Sequence, residues 1–459
     1  MNSGLRRGSR AVAIFALTTL VSAASASPPV DDSSVAGLAL LAPGAVSAVD
    51  KAVKAPKEEK KVKKKDADAP VPPGWHRDGF EVSNGDFKFA INGYFQENLR
   101  SYNWDIAGGD LTKRSPTHEL GRLRMGFETS YQGWSLQFAI DPRTSQTYEL
   151  KDLHLTYEFS KKLAIQGGHF KPPFSVDFLT SAAATDFVDR SMLVDDIGAD
   201  RDWGGMIHGT LAKLKYQIGV FAGDGSGKTS RSETSGAARL TYTMAKGLVV
   251  GASYMQGKVK PNVSPDPTQE PDAKGFRGQD HIAWTFWRRP HVDGTRRRIG
   301  LEASFTRGPF RLIGEAAEGR EQRLGQGSVK QDLPDSYGRA WYLTASYLVT
   351  GQKKVSRIHP DKGHFYGGIG AIELAARAER LRFDDVGPDS GFAGYGNRAR
   401  NIAPTADWVL SLGINWFVTD FLKFQADAYQ DHFNDVLITP DPPQTKYWSF
   451  VGRIQIAIP

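Results

Sequence analysis

The sequence alternates strictly between apolar and polar residues through Phe87-Lys88-Phe89-Ala90-Ile91-Asn92-Gly93-Tyr94-Phe95-Gln96. Successive side chains of an extended strand point to opposite faces, so this alternation predicts a strand with one largely apolar face and one more polar face. Such a strand lies between two unlike environments. The question for the rest of the chain is what those two environments are.

The same two-residue period recurs in fifteen further segments, at residues 123–131, 134–140, 153–159, 163–169, 205–211, 216–222, 238–244, 248–254, 299–305, 310–316, 341–349, 372–378, 410–416, 422–428 and 448–458. Connections between these segments alternate between tight turns, such as 132–133 and 308–309, and long loops, such as 171–203 and 258–298. Tight turns on one side and long loops on the other are typical of bacterial outer-membrane barrels. We therefore predict an all-β fold, a transmembrane antiparallel β-barrel of 16 strands. A further alternating segment, 281–288, is assigned to the preceding outer loop because such barrels have an even number of strands.

A soluble β-sandwich would also alternate, but two features argue against one. Bulky aromatic residues stand at the ends of the apolar faces, as an interfacial girdle requires; they are Phe95, Tyr131, Trp134, Tyr157, Phe159 and Trp416. The opposite faces carry too many charges for a protein core, including Lys88, Glu128, Asp152, Glu302 and Glu315. Because an unpaired buried charge is prohibitively costly, we expect these faces to line a water-filled lumen.

Composition excludes several other classes of protein. The 459 residues include no Cys, which removes disulfide scaffolds, thiolate metal sites and cysteine nucleophiles. The formal net charge is +7, but residues 1–72 hold 11 Lys and Arg against 7 Asp and Glu, which leaves the remainder at only +3. The body of the protein is thus nearly balanced, and nothing in it favours a nucleic-acid partner.

The N-terminus has the pattern of an export signal. Arg6, Arg7 and Arg10 precede an apolar run at 11–21, and Ala24-Ser25-Ala26 supplies a small-residue cleavage site. We predict a signal peptide at residues 1–26, a disordered Ala/Pro/Lys-rich extension at 27–79 and a barrel domain at 80–459. The predicted location is the outer membrane of a Gram-negative bacterium, with the extension in the periplasm. The basic run between Lys51 and Lys65 is a solvated linker or a contact with the cell wall or anionic lipid.

No enzymatic or metal-binding pattern is present in the sequence. Residues 222–229 fit a permissive phosphate-binding loop, but no helix is predicted after them to hold the phosphates. The ten His residues are scattered, and His154, His169 and His208 lack the spacing of metal ligands. We therefore predict that the protein is not an enzyme and that it has no cofactor or metal.

The most informative loop begins at Gly167-Gly168-His169-Phe170-Lys171 and continues to Gly205, which is long enough to fold back into a pore. With this loop, the chain resembles the phosphate-selective porin O/P family of Gram-negative outer membranes. Three later motifs agree with that family in the same order; they are Tyr347-Leu348-Val349-Thr350-Gly351-Gln352, Gly370-Ala371-Ile372-Glu373-Leu374-Ala375-Ala376-Arg377 and Leu412-Gly413-Ile414-Asn415-Trp416-Phe417. The resemblance implies an outer-membrane porin for passive diffusion of small hydrophilic solutes, with a preference for anions such as phosphate, and a homotrimeric assembly. The family usually ends on an aromatic residue, whereas this chain ends Ile458-Pro459.

Ion preference in such a pore depends on charge along the inner wall and the infolded loop. The alternation places eleven basic and ten acidic residues on the wall, which predicts no strong field from the sum alone; the lumen-facing basic candidates are Arg122, Arg124, Arg239, Arg298, Arg311 and Arg377. Lys171, Arg190 and Arg201, in or beside the long loop, are the predicted pore constriction and anion-binding residues. The planar fork of arginine can donate two hydrogen bonds to phosphate.

Three alternatives remain open at this level. Nearby acids of the loop can pair with Lys171, Arg190 and Arg201 and so merely anchor it; these acids are Asp177, Asp186, Asp189, Asp195 and Asp202. The barrel can also be a structural element that tethers envelope layers through its basic tail, or a non-selective general porin.

Overall fold

The computed structural model describes residues 74–458 except 77–78, 103–116, 144–148, 224–232, 262–273, 282–283, 328–329, 385–403, 437–438 and 441–442. The predicted signal peptide, the basic run from Lys51 to Lys65 and most of the predicted extension lie outside these residues, as does most of the 222–229 motif. The first described strand, Gly74–His76, falls within the range that we assigned to the extension. Within the described ranges, no helix has the length and apolar character needed to cross a membrane.

Sixteen antiparallel strands form one closed barrel, which confirms the predicted fold. Each strand lies beside the next one along the chain, and the last strand pairs with the first, with Ile456 opposite Phe95. The strands are β1 Phe87–Tyr102, β2 Thr117–Tyr131, β3 Trp134–Asp141, β4 Glu149–Ser160, β5 Leu163–Phe170, β6 Asp202–Leu211, β7 Leu214–Phe221, β8 Ser235–Ala245, β9 Leu248–Val259, β10 Gly294–Arg307, β11 Phe310–Arg323, β12 Leu333–Leu348, β13 Ala371–Phe383, β14 Thr405–Phe417, β15 Leu422–Phe433 and β16 Lys446–Ile458.

Shorter elements surround these strands. The strands Gly74–His76 and Gly79–Asn84 pair with each other, and the second of them also pairs with β1. The segment 281–288, which we assigned to an outer loop, contributes the short strand Thr285–Trp287. This strand pairs with Gly278–Gln279 in a separate two-stranded sheet that is not part of the barrel. A single helical turn, Val176–Leu179, and a π-helical turn, Leu193–Ile197, lie in the long loop after β5.

The two faces of each strand are divided as the alternation predicts. On β14, Leu410, Leu412 and Ile414 lie on the outer surface, and the side chain of Leu412 is 65% exposed there. Ser411 and Asn415, which alternate with them, are buried inside the barrel. Apolar side chains outside and polar side chains inside are the arrangement required by a barrel surrounded by lipid.

Tight turns join the strands at one end of the barrel, with one exception. Gly247 and Gly308 occupy the left-handed region in two of these turns, which a two-residue connection between antiparallel strands requires. The connection between β12 and β13 lies at the same end but spans residues 349–370. It folds against the barrel through Ile358, which packs on Leu348 and Ala371. This exception matters because the loop also carries Lys354 into the lumen.

The lumen is partly filled by a hydrophobic core. The loop after β5, residues 171–201, and the loop before β10, residues 274–293, fold inward and pack on the inner wall. Large side chains of loops and wall meet there and are almost completely buried; they include Phe174, Phe187, Ile197, Trp287, Phe383 and Tyr429. The infolding of the long loop is therefore a central feature of the fold.

The expectation that all inner-wall charges are in contact with water is wrong for much of the lumen. Arg239, Glu302, Glu315 and Arg377 are each less than 9% exposed. They tolerate burial because they have partners, as in the two-bond pairing of Arg239 with Glu302 at 2.7 and 2.8 Å. A buried charge is acceptable when it is paired and hydrogen-bonded.

Candidate pore and its constriction

The infolded loop, residues 171–201, is held at its start by Glu315 on β11. The carboxylate of Glu315 accepts hydrogen bonds from Ser175 Oγ at 3.0 Å and from the backbone N–H groups of Val176 at 2.9 Å and Asp177 at 2.8 Å. Tyr342 on β12 donates a further hydrogen bond of 2.6 Å to the same carboxylate. A wall residue thus satisfies backbone donors that the short helical turn leaves without partners.

The loop reaches the tight-turn end of the barrel at Asp186. This carboxylate pairs with Arg311 on β11 at 2.6 Å and with Lys354 from the loop at 349–370 at 2.7 Å. Asn415 on β14 donates to the backbone carbonyl of Asp186 at 2.8 Å. Burial on its own would raise the pKa of the Asp186 carboxyl, but the two cations lower that pKa far below its usual range. Asp186 is therefore a charged clamp between two loops and the wall.

The returning half of the loop is tied to two strands of the inner wall, β1 and β13. Asp189 forms a two-bond ion pair with Arg100 on β1 at 2.6 and 2.8 Å. Arg377 on β13 donates to the backbone carbonyl of Asp189 at 3.0 Å, and its guanidinium lies 4.3 Å from the ring centroid of Phe187. The loop is consequently held against this part of the wall at two separate strands.

A cavity of about 1260 Å³ remains beside the infolded loop. Its lining comes from strands β1 to β7, β10 and β13 to β16, from the infolded loop, from the loop before β10 and from the loop at 349–370. Its lining includes Arg289 from the long-loop end and Asp420 from the tight-turn end of the barrel. The cavity is thus the part of the lumen in which a solute has room, and it extends between elements of the two ends.

All three predicted constriction residues line this cavity, and each has protein partners. Arg190 pairs with Asp177 at 3.2 Å and donates to the carbonyl of Thr180 at 2.7 Å, as the anchoring alternative requires. Arg201 makes two hydrogen bonds of 3.1 Å to Asp152 on β4, an acid of the wall and not of the loop. Their role in anion binding stays a prediction.

Lys171 differs from these two arginines in its partners. Its ammonium donates to the carbonyls of Phe178 and Thr180, and it lies 5.0 Å from the centroid of the Phe178 ring. Burial lowers the pKa of Lys171 well below its usual range, and the positive charges of Arg190 and Arg201 lower it further. The three predicted residues are therefore close enough to act on one another electrostatically.

The six wall arginines divide into two groups. Arg122 and Arg124 line the cavity; Arg122 donates to Gln96 at 3.1 Å, and the guanidinium of Arg124 lies 5.8 Å from the centroid of the Tyr94 ring. Within the part of the chain that the structure describes, neither makes an ion pair with a carboxylate. Arg239, Arg311 and Arg377 are instead paired with Glu302, Asp186 and Glu379. Arg298 lines the cavity and donates to the carbonyl of Ile197 at 2.7 Å.

Charge around the cavity is less balanced than charge along the whole wall. Thirteen basic residues line it: Arg122, Arg124, Lys151, Lys171, Arg190, Arg201, Arg277, Arg289, Arg296, Arg298, Lys354, Arg357 and Lys423. Seven acidic residues do so: Asp152, Glu158, Asp195, Asp196, Asp200, Glu373 and Asp420. The wall sum from the sequence missed this excess, because it left out the loops that contribute Arg277, Arg289 and Lys354. The high aromatic content of residues 276–287 was the available sign in the sequence that this loop packs inside the barrel and so brings its basic residues to the cavity.

A closed barrel with an apolar outer belt and a cationic cavity along its lumen is a channel of the outer-membrane porin class. The family model described as phosphate-selective porin O and P matches residues 95–442, and the chain belongs to that family. Porin O of Pseudomonas aeruginosa is 22% identical over 422 residues, which cover 82% of this chain and 90% of that protein. The protein is accordingly a porin channel of the Gram-negative outer membrane.

Solved structures of other porins share the fold. The anion-selective porin from Comamonas acidovorans is 13% identical, with a TM-score of 0.50 over 81% of this chain and 99% of that chain. DcaP of Acinetobacter baumannii is 10% identical, with a TM-score of 0.50 over 83% of this chain and 99% of that chain. A trimer form of OmpT of Vibrio cholerae is 13% identical, with a TM-score of 0.50 over 81% and 99%. At these identities the similarity concerns the fold alone.

The Asp186 clamp predicts a change in pore size. Asp186→Asn removes the carboxylate that faces Arg311 and Lys354, and losing one partner of a buried pair costs roughly 3 kcal/mol. We expect the infolded loop to detach at this point, and single-channel recording to show a larger and noisier conductance. Asp335→Asn is the control, because it breaks a more exposed pair with Arg320. Equal conductance in wild type and Asp186→Asn would contradict the clamp.

Proposed function

We propose that the protein mediates passive diffusion of small hydrophilic solutes across the outer membrane, with a preference for anions such as phosphate. The observation that carries the proposal is the excess of basic over acidic residues around the cavity. Rings of charge along a pore set its ion preference, and a cationic lining raises the local concentration of anions.

Arg122 and Arg124 are the residues best placed to meet a passing anion. They follow one another on the lumen face of β2, and their guanidinium groups are not engaged by a carboxylate of the described chain. Lys171, Arg190 and Arg201 face them from the loop and from the start of β6. Each guanidinium can donate two hydrogen bonds to a phosphate oxygen pair, which replaces part of the hydration shell of the anion.

Conduction also requires that the anion leaves. The carboxylates of Asp152 and Asp177, already paired with Arg201 and Arg190, compete with the solute for the same donors. Weak and distributed contacts favour passage over retention, since a site that binds too tightly blocks a channel. The anchoring contacts and the solute contacts of Arg190 and Arg201 are therefore compatible.

The relatives support an anion preference. The family is described as phosphate-selective, and one porin with the same fold is described as anion-selective. Both descriptions concern relatives, and the experiment below tests the solute preference of this chain.

Neutralising the two wall arginines tests the proposal. We expect the purified, refolded chain in a planar bilayer under a salt gradient to give a reversal potential that favours anions, and added phosphate to reduce the chloride current. The double variant Arg122→Gln, Arg124→Gln should move the reversal potential toward zero and weaken the block by phosphate. The matched control is Arg320→Gln, Arg339→Gln, because both residues are more exposed and neither lines the cavity.

Three outcomes separate the functions. Open channels with cation preference or none would discard the phosphate assignment and leave a general porin. A folded barrel with no conductance would favour the structural, tethering reading. If the wild type prefers anions and the double variant has the same preference, residues of the cavity other than Arg122 and Arg124 determine the selectivity.

Asp195 predicts how the selectivity depends on pH. Its side chain faces the cavity, and its pKa is raised to about 6 by its position inside the barrel and by the charges of Asp189 and Asp177, against the opposing charge of Arg190. Below that pH the carboxyl is neutral, so the cavity loses a negative charge on acidification. We expect the anion-to-cation permeability ratio to rise between pH 7.5 and 5, and to rise less in Asp195→Asn. The off-cavity variant Asp335→Asn should follow the wild-type profile; an unchanged rise in Asp195→Asn would contradict the assignment.

We propose further that the protein assembles as a homotrimer. OmpT of Vibrio cholerae, which shares the fold, has a trimer form. The measurement is the mass of the detergent-solubilised protein by light scattering with the detergent contribution subtracted. We expect three chains per particle, and a single chain per particle under non-denaturing conditions would contradict the proposal.

A further inference from the structure

Three buried aspartates from different elements meet inside the barrel, away from the cavity. Asp280 belongs to the inward-folded loop before β10, Asp407 to β14 and Asp431 to β15. One carboxylate oxygen of each lies within 4.8 Å of the others. Asp280 is 7% exposed, and Asp407 and Asp431 are completely buried. None of the three is among the described residues that line the cavity.

The fold holds these carboxylates in place. The register of β14 and β15 pairs Val409 with Asp431, so Asp407 and Asp431 are diagonal neighbours on the lumen face. Asp280 stands at the turn of the small hairpin formed by Gly278–Gln279 and Thr285–Trp287. One of its oxygens accepts a hydrogen bond of 2.7 Å from the backbone N–H of Trp284.

Asp407 and Asp431 have few donors and little contact with solvent. Neither carboxylate oxygen of Asp431 has a donor at good hydrogen-bond geometry among the described residues, although the backbone N–H of His281 approaches it. Oδ2 of Asp407 also lacks such a donor among these residues. The other oxygen of Asp407 accepts a hydrogen bond of 3.0 Å from the backbone N–H of His432. A buried carboxylate without donors is costly, and three of them side by side repel one another. A native structure that keeps such groups has a reason for them, such as a bound ion.

The positive groups next to the cluster form ion pairs with another acid. His281 acts electrostatically on Asp431, but its Nε2 lies 2.8 Å from Glu379. Arg377 lies 3.4 Å from Glu379 as well. Asp407 and Asp431 have no ion-pair partner among the described residues, so a cation bound between the three carboxylates would offset their charge.

The ligand chemistry identifies the cation. Carboxylate oxygens are hard ligands, which Ca²⁺ and Mg²⁺ prefer, whereas sites for Zn²⁺ commonly use His or Cys. The carboxylate oxygens of the three aspartates lie within 4.8 Å of one another, so all three can reach one cation. Three protein carboxylates suit Ca²⁺, which takes six to eight oxygen ligands, better than Mg²⁺, which one or two carboxylates usually hold and which keeps several waters. We propose that Asp280, Asp407 and Asp431 bind one Ca²⁺, with backbone carbonyls or water completing its shell.

The position of the site suggests a structural role for the ion, which would hold the loop before β10 to the wall. The hairpin that carries Asp280 packs on the wall through Phe286 against Phe433 and through Trp287 stacked on Phe383 at 4.8 Å. It also contacts the infolded loop, because the N–H of Gln279 donates to Asp196 at 3.2 Å. A Ca²⁺ shared by the hairpin and two strands would fasten this loop at the long-loop end of the barrel. The proposal is independent of ion selectivity.

Calcium titration of the folded barrel tests the proposal. The chain is refolded from inclusion bodies in detergent, stripped with a chelator and titrated with CaCl₂ in a calorimeter. We expect one Ca²⁺ per chain and an increase in unfolding temperature on adding it. Asp407→Asn and Asp431→Asn, which keep the side-chain shape, should lose both effects. Asp141→Asn is the matched control, since Asp141 is also a buried strand aspartate with one unpartnered oxygen, but it lies on β3 and pairs with Arg143.

The contrary results are equally defined. A folded wild-type barrel that binds no Ca²⁺ would overturn the proposal and indicate that the carboxylates share protons instead. Binding that persists in both strand variants would overturn it too, by placing the ion elsewhere. If a strand variant does not fold, Asp280→Asn replaces it, because that residue lies on a loop and its substitution leaves the barrel wall intact.

Discussion

The structure depends on one constraint, the need of every backbone N–H and C=O group in lipid to find a partner within the protein. A sheet can meet this need only by closing on itself, and here closure is made by the pairing of β16 with β1. Closure produces an inside and an outside, and the two-residue period then assigns a different solvent to each face. The apolar belt, the enclosed lumen and the ends that carry the loops all follow from this one requirement.

The closed wall also explains why charges can serve as the framework of the interior. Sixteen strands enclose more space than the wall side chains alone occupy, and the two inward loops take up part of it. Their backbones bring polar groups into the lumen, so the wall must supply partners. Glu315 caps the helical turn, Arg311 holds Asp186 and Arg100 holds Asp189. The paired charges of the inner wall thus do the work that apolar side chains do in a soluble core, and what is left over is a cavity with positive excess.

The sequence predicted the strands well and the cavity poorly. Residue 411 and its neighbours could be assigned to faces because alternation is local and has a fixed period. The function class followed from the same pattern and from the loop after β5, and the family match agrees with it. Lys171, Arg190 and Arg201 were found because they lie in that loop. The Asp152 partner of Arg201 and the inward hairpin near Trp287 were not, since those contacts join segments that are far apart in sequence.

By itself, the sequence determined the number of strands, their faces and the presence of a long loop able to enter the lumen, because these depend only on spacing along the chain. Only the tertiary structure decided which charges meet. The alternation places both Arg122 and Arg311 on the inner face. In the folded barrel Arg122 lines the cavity, whereas Arg311 forms an ion pair with Asp186. The physical reason is that an electrostatic interaction depends on distance and burial, which strand periodicity does not contain and which arise only when the loops fold into the closed barrel.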